Sequence, residues 1–331
     1  MTGLSDTEKN ILSVAQLDAE QTPTSIAKKL KLQIHTVRYV LAKLMESGII
    51  NRLTCVNLAR LGLAEYYFVV KLKTRTTSAI NRMLEVLKKS DHVVWVLELG
   101  GDYHLGIVYL AQSLKDATLF AEQVMEQSRV EIKQHYISIR VSRTYFGVKY
   151  LGHKAPVNPV DLGNLAVDET TWDDLDHQIL KAIADNSDNK SGSIAKAIGK
   201  PEATIHYRVK QLKERGLFAR NVFMVNTAKL GMLHYRFHVH TSSPSTDLRT
   251  KLYNWGLSHS HVLACFHCIG PWDFEFRTEV ETPQQAIAIS RELSDKFEEK
   301  LSTIEVVPCV ALTQLRHYPF INKPVEGKFF R

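Results

Sequence analysis

The spacing of apolar residues changes several times along the chain, and each change marks an element. Ile11, Leu12 and Ala15 follow a 3.6-residue period behind Leu4-Ser5-Asp6-Thr7-Glu8, where Ser5 and Glu8 have the spacing of a capping box. A first helix is predicted to about Gln16. Thr22-Pro23-Thr24 opens a second, with Ile26, Ala27 and Leu30 inward, and Lys31-Leu32-Gln33 reads as a turn. A third helix runs from about Ile34 to Ser47, burying Val37, Val40, Leu41 and Leu44, and stops at Gly48.

Beyond Gly48 the period falls to two. Tyr66–Leu72 reads as a strand, and 77–89 as a helix with Ile80, Met83, Leu84 and Leu87 inside. His92–Glu98 and Tyr103–Leu110 are strands, 114–128 a helix and Ile132–Val141 a last strand. The order βαββαβ predicts a ferredoxin-like sandwich with helices on one sheet face and the other face open. Gly147–Asn164 has little periodicity and reads as a linker. The series then restarts: Leu175, Ile179, Leu180 and Ile183 at helical spacing, helical segments over 193–220, and a second βαββαβ from about Leu233 to Val310. The expected fold is α+β, a tandem duplication: winged helix-turn-helix at 1–56, ferredoxin-like domain at 60–146, linker at 147–171, winged helix-turn-helix at 172–225 and ferredoxin-like domain at 230–318.

The duplication is explicit in 25–52 and 193–220, which align without a gap 168 residues apart. They share Ser25/Ser193, Ile26/Ile194, Ala27/Ala195, Lys28/Lys196, Thr36/Thr204, Tyr39/Tyr207, Leu44/Leu212, Glu46/Glu214, Gly48/Gly216 and Arg52/Arg220. So long a period means repetition of a whole unit, not a solenoid. Each segment carries a net +5 in a chain whose total is +7, so the rest is slightly acidic. Charge gathered on two equivalent helical segments is the footprint of a phosphate-binding face. A generic helical hairpin with a solvated basic face is the plainer alternative. The outer residues of the third helices are the expected contacts to double-stranded DNA: His35, Thr36, Arg38, Tyr39 and Lys43, and Thr204, His206, Tyr207, Arg208, Lys210 and Gln211.

Three motifs together make each half resemble the leucine-responsive/asparagine-operon regulator (Lrp/AsnC) family of transcription factors. They are Leu175-Asp176-x-x-Ile179-Leu180, the Ser-Ile-Ala-Lys…Thr…Leu-x-Glu-x-Gly-x-x-x-Arg segment, and Gly270-Pro271-Trp272-Asp273 between two strands. The resemblance covers about 5–145 and 172–316 and implies a DNA-binding regulator answering to an amino acid or similar small metabolite. It also implies a homo-oligomer joined through the open sheet faces, although two units in one chain suggest that the halves mimic a dimer internally. An effector is expected near Gly270, Trp272 and Asp273, and less so near Gly101, Tyr103 and His104, where His104 replaces the Asp. Tetrapyrrole (siroheme-type) decarboxylases resemble the same architecture. The Tyr-Asn-Leu-Trp-type strand segment expected of them is not found in this sequence. A non-catalytic ligand- or protein-binding adaptor that has lost DNA contact is the third reading.

Histidine is concentrated in the second sandwich. His234, Arg236, His238 and His240 alternate on one strand with Tyr235, Phe237 and Val239, so the former set points to the open face and the latter to the helices. His261, Cys265 and His267 share a parity on the next strand and are expected on the same open face. A metal or tetrapyrrole site and a hydrogen-bonded dimerisation surface are both open readings of this set, the second favoured; no metal or cofactor is expected. Cys265 and Cys268 are three apart on a strand and should point to opposite faces. Cys55 and Cys309 read as small buried hydrophobes. No Walker-type loop, HExxH or GxSxG is present, and no catalytic constellation assembles from the remainder, so an enzyme is not expected. Four cysteines, a polar N-terminus and the lack of an apolar run of about 18 residues point to a reducing cytoplasm and no membrane.

Overall fold

The computed structural model describes residues 3–152, 158–164, 170–185, 190–316, 318–320, 324 and 329–330. The first head consists of α1 (Asp6–Ala15), α2 (Pro23–Leu30), α3 (Ile34–Glu46) and a wing strand β1 (Ile50–Val56). The Ser5 hydroxyl accepts from the Glu8 amide while the Glu8 carboxylate accepts from the Ser5 amide, so the capping box forms. Ile11, Leu12 and Ala15 are fully buried behind it. Thr22 caps α2, and Lys31 ends it in the left-handed conformation that turns the chain into α3.

The first sandwich unit follows as β2 (Ala64–Leu72), α4 (Thr77–Lys88), β3 (Val93–Leu99), β4 (Leu105–Ala111), α5 (Leu114–Ser128) and β5 (Ile132–Tyr145). The expected linker is partly built in. Lys149–Leu151 form a 3-10 turn with Leu151 buried, and β6 (Val160–Asn164) adds to β5, so chemistry that reads as loop is used as an edge strand. Residues 153–157 and 165–169 of that stretch lie outside the described residues. The second head has α6 (Asp174–Asp185), α7 (Ser191–Ile198), α8 (Glu202–Glu214) and wing β7 (Phe218–Val225). The second sandwich unit has β8 (Leu233–Thr241), α9 (Thr246–Ser258), β9 (Val262–Ile269), β10 (Phe274–Val280), α10 (Pro283–Phe297) and β11 (Leu301–Leu315).

The two halves are fused at every level. Strands run in the order β2-β4-β3-β11-β8-β10-β9-β5, and β5 pairs back onto β2 to close an eight-stranded antiparallel barrel, with β6 on its flank. Each half lends its last strand to the other: β5 pairs with β9, and β11 with β3. Closure removes the edges that either open sandwich would expose. The sheet faces expected to be open are the barrel lining, where Tyr67, Val69, Trp272 and His238 are buried. Within this chain each half covers the sheet face of the other, as two halves mimicking a dimer would.

Two further cores lie outside the barrel. One packs Tyr66, Phe68 and Val70 under α4 and α5, and the other packs Tyr235, Phe237 and Val239 under α9 and α10. The heads share the core that continues into the barrel. Their wings pair antiparallel, Leu53 opposite Val222 and Thr54 opposite Asn221, as a two-stranded sheet about an approximate dyad. No described helix is long and apolar enough to cross a membrane.

Candidate nucleic-acid interface

Each head presents its third helix, α3 or α8, with one face inward. Val37, Val40, Leu41 and Leu44 are buried in α3, and Ile205 and Leu212 in α8. That geometry leaves His35, Arg38, Tyr39 and Lys43, and Thr204, His206, Tyr207 and Lys210, exposed, with Thr36, Arg208 and Gln211 partly so. Tyr39 and Tyr207, at matching positions, are 68% and 59% exposed. Two large aromatic rings kept outward on equivalent helices have no packing role here and are available to a partner.

Two of the expected contacts are engaged within the protein. Lys43 Nζ lies 2.8 Å from the Glu8 carboxylate. Burial pushes the Glu8 pKa up, but the bonds from Lys43 and Ser5 outweigh it and hold it below the ordinary carboxylate value. Arg208 donates to Asp173 at 2.7 Å and to Asp176 at 3.3 Å, and Arg215 reaches Asp176 at 3.0 Å. Asp173 and Asp176 occupy the capping positions of α6, as Ser5 and Glu8 do in α1. In both heads a cation of the third helix is thus tied to the start of the first. Sequence spacing alone cannot show this, because the partner is more than thirty residues away. Gln211 donates to the Tyr207 hydroxyl at 2.8 Å and steadies that ring.

The heads are held in fixed relation. Ala19 N donates to Asn221 O, Phe223 N to Gln16 O and Asn226 N to Ile49 O, each at 2.8 Å, and the Thr54 hydroxyl donates to Asn221 Oδ1 at 2.6 Å. Lys229 donates to Ser47 O at 2.7 Å, placing a cation at the carbonyl end of α3, where the helix dipole favours it. Two recognition surfaces on one rigid frame can engage one duplex only at a fixed separation.

The barrel interior holds a second polar constellation. Arg140 donates to Glu65 at 2.6 Å and to both oxygens of Glu275 at 2.7 and 2.8 Å. Arg236 donates to Glu275 at 2.8 Å, and Arg143 also pairs with Glu65. The guanidinium of Arg140 sits over Phe266, Tyr67 and Trp95 at 4.3, 4.7 and 5.0 Å. Burial opposes the charge on Arg140, while Glu275 and Glu65 raise its pKa. For Glu275, burial raises the pKa, but Arg140 and Arg236 prevail and lower it. The network crosses the seam between halves, so it pins their register.

His238 stacks on Trp272 at 3.8 Å, nearly parallel, and burial keeps its pKa below the ordinary imidazole value. Its Nδ1 lies 3.5 Å from Glu305, which Tyr103 bonds at 3.3 Å and His240 approaches at 3.6 Å. The alternation read in β8 is correct: Arg236 and His238 are buried inward, His234 Nε2 is closed off from solvent, and His240 approaches the same Glu305 as His238. The expectation for β9 is not, since Cys265 lies in the outer core under the helices. A bulge opposite Arg277/Thr278 inserts a residue and resets the parity of β9. Cys268 faces the barrel, so the two cysteines do point opposite ways. Among the described residues no group of three or more His, Cys, Asp or Glu is placed to hold a metal.

The residues expected at an effector site do other work. Trp272 is 1% exposed and fills the barrel. Asp273 Oδ2 accepts from the Thr241 amide at 2.7 Å and its hydroxyl at 2.8 Å. Gly270 has φ +138°, and a Cβ there would lie 2.9 Å from Ile137 O, so it serves a close strand crossing. His104 Nδ1 accepts from the Leu72 amide at 3.1 Å, and Gly101 turns with φ +72°.

A winged helix-turn-helix DNA-binding family model matches residues 4–51 and 173–218. The model thus matches once in each half, over the first and the second head. An uncharacterized helix-turn-helix-type transcriptional regulator of Pyrococcus furiosus is 24% identical over 144 residues, 43% of this chain and 96% of that protein. A second, from Pyrococcus abyssi, is 38% identical over 53 residues, 16% of this chain and 33% of that one. The crystal structure of the siroheme decarboxylase NirDL aligns with a TM-score of 0.61 and 13% identity, covering 96% of this chain and 95% of that chain. Its complex with an iron-uroporphyrin III analogue aligns equally well, at 14% identity. These two likenesses concern the fold of the whole tandem.

Proposed function

We propose that this protein is a sequence-specific DNA-binding transcription regulator whose two unlike heads read one asymmetric site. The observation that carries this reading is the pair of family matches at 4–51 and 173–218, each laid over a head whose third helix projects basic and aromatic side chains outward. Lysine and arginine neutralise phosphates and release counterions, and short polar side chains reach base edges in the major groove. The outer residues differ between heads, His35 against Ala203 and Arg38 against His206, so the preferred half-sites differ too. Fluorescence anisotropy of a labelled random-sequence duplex, titrated at several salt concentrations, tests the reading. Binding that weakens steeply with salt is expected; no binding at low salt contradicts it. Responsiveness to a metabolite and a cytoplasmic setting belong to this reading as well.

A decarboxylase acting on a tetrapyrrole is the second reading, favoured by the full-length likeness in fold and by the arginines inside the barrel. The geometry argues against it. Arg140 and Arg236 are already paired with Glu65 and Glu275, and Trp95 packs against both guanidinium groups with Tyr67 on that of Arg140. Absorption titration with iron-uroporphyrin distinguishes the two: an unchanged Soret band is expected, and a saturable shift would favour the enzyme.

A further inference from the structure

We propose that the cleft between the two heads binds a small polyanionic metabolite, one that carries phosphates or several carboxylates. The cleft has a volume of about 320 Å³, within the size of small-molecule sites. Arg52 and Glu20 come from the first head, and Lys190, Lys213, Arg220 and Asn221 from the second. Four cations against one carboxylate leave a lining of net +3. Arg220 makes one long bond, to Leu17 O at 3.4 Å. The Arg52 side chain has no hydrogen bond or ion pair among the described residues, and its Nε is closed off from solvent. A buried guanidinium donor with no acceptor is costly, and an anion seated beside it removes the cost.

The lining is built on one side only. At the equivalent places in the first half, 168 residues earlier, Lys190, Lys213 and Asn221 are replaced by Thr22, Met45 and Leu53. An accident of the duplicated scaffold would appear twice; this basic lining belongs to one copy only. Glu20 now holds Asn221 at 2.8 Å and Lys213 at 3.5 Å, so a polyanion would draw Lys213 away from it. A ligand touching Arg52 and Lys213 together bridges the heads. It would reinforce the one arrangement of the heads that the paired wings already hold. The site itself stands on its lining and does not depend on the DNA reading.

Calorimetry on the full chain, with pyrophosphate and citrate as separate probes, tests it at low ionic strength. Wild type should bind one or both, and the preferred probe tells phosphate from carboxylate chemistry. Arg52→Gln should weaken binding at least tenfold. Lys213→Gln, at an exposed side chain, should do so without risk to the fold, which circular dichroism checks. No heat with either probe, or equal affinity in wild type and both folded variants, overturns the site. So does displacement of the bound probe by random duplex together with an equal loss of duplex affinity in Arg52→Gln, because the cleft is then a contact for backbone phosphates of DNA.

Discussion

The first strands of the two sandwich units are the same on one face and unlike on the other. Under the helices, Tyr66, Phe68 and Val70 of β2 correspond to Tyr235, Phe237 and Val239 of β8, residue for residue. Toward the barrel, Glu65, Tyr67 and Val69 correspond to His234, Arg236 and His238. The outer faces meet equivalent helices in both halves, so selection for packing kept them alike. The inner faces meet each other. There, β2 supplies a carboxylate and an aromatic ring at positions where β8 supplies an imidazole and an arginine, which identical copies in a symmetric pair cannot do. Fusion into one chain is what lets the two sides of the seam specialise.

Cutting the seam network should have the largest effect. Arg140→Met leaves Glu65 and Glu275 short of their buried partner and should cost about 3–5 kcal/mol in denaturant unfolding. A loss under about 1 kcal/mol would mean that the halves do not depend on it. On the shared outer face, Phe68→Ala and Phe237→Ala should each cost about 3–5 kcal/mol, in near-equal measure. A large disparity between them would break the equivalence of the two outer cores.

Matched inner positions should behave oppositely. The Tyr67 hydroxyl is buried without a partner, so Tyr67→Phe should be neutral or mildly stabilising, whereas Arg236→Met removes a bond to Glu275 and should cost about 2 kcal/mol or more. The same unfolding assay reads both.

The inner histidines make the second half acid-sensitive first. His234 and His238 have pKa values depressed by burial below the ordinary 6.5. The unfolded chain therefore takes up protons first, and stability present above pH 6.5 is lost as pH falls toward the folded values. Glu275, held below 4.5, adds stability that is lost only as pH falls through its own lowered value. His238→Gln should flatten the decline between pH 7 and 5 while leaving the acid limb near pH 4 in place. Equal declines in wild type and variant would exclude His238 as a source. The smallest effect is local: Ser5→Ala should cost about 1 kcal/mol by loss of the α1 cap.

Periodicity carried the elements in full view because each half repeats the same pattern, and the capping box at Ser5 and Glu8 is a purely local signal. The inward direction of His234, Arg236 and His238 followed from alternation. Features that depend on distant partners were not legible. Closure of the barrel requires β5 to meet β9 and β11 to meet β3, pairings that either sandwich alone would not reveal. The bulge in β9 has no sequence mark, so Cys265 was misplaced. Lys43 and Arg208 have the position of DNA contacts, yet carboxylates near the start of α1 and α6 engage them. The cleft at Arg52 joins residues from both heads and exists only once the wings pair.

The heads offer the sharpest contrast for DNA. Arg38 is exposed and faces no described partner, whereas Arg208 is tied to Asp173 and Asp176. Arg38→Ala should lower the log–log salt slope by about 0.9, and Arg208→Ala should leave it nearly unchanged while loosening α6. The central claim, two diverged heads reading one site from a single fused frame, is tested most directly by selecting bound sequences from a pool of random duplexes with the full chain, together with the stoichiometry of the selected complex. The account predicts an asymmetric pair of half-sites occupied by one chain. A perfect palindrome occupied by two chains, or no enrichment at all, would contradict it.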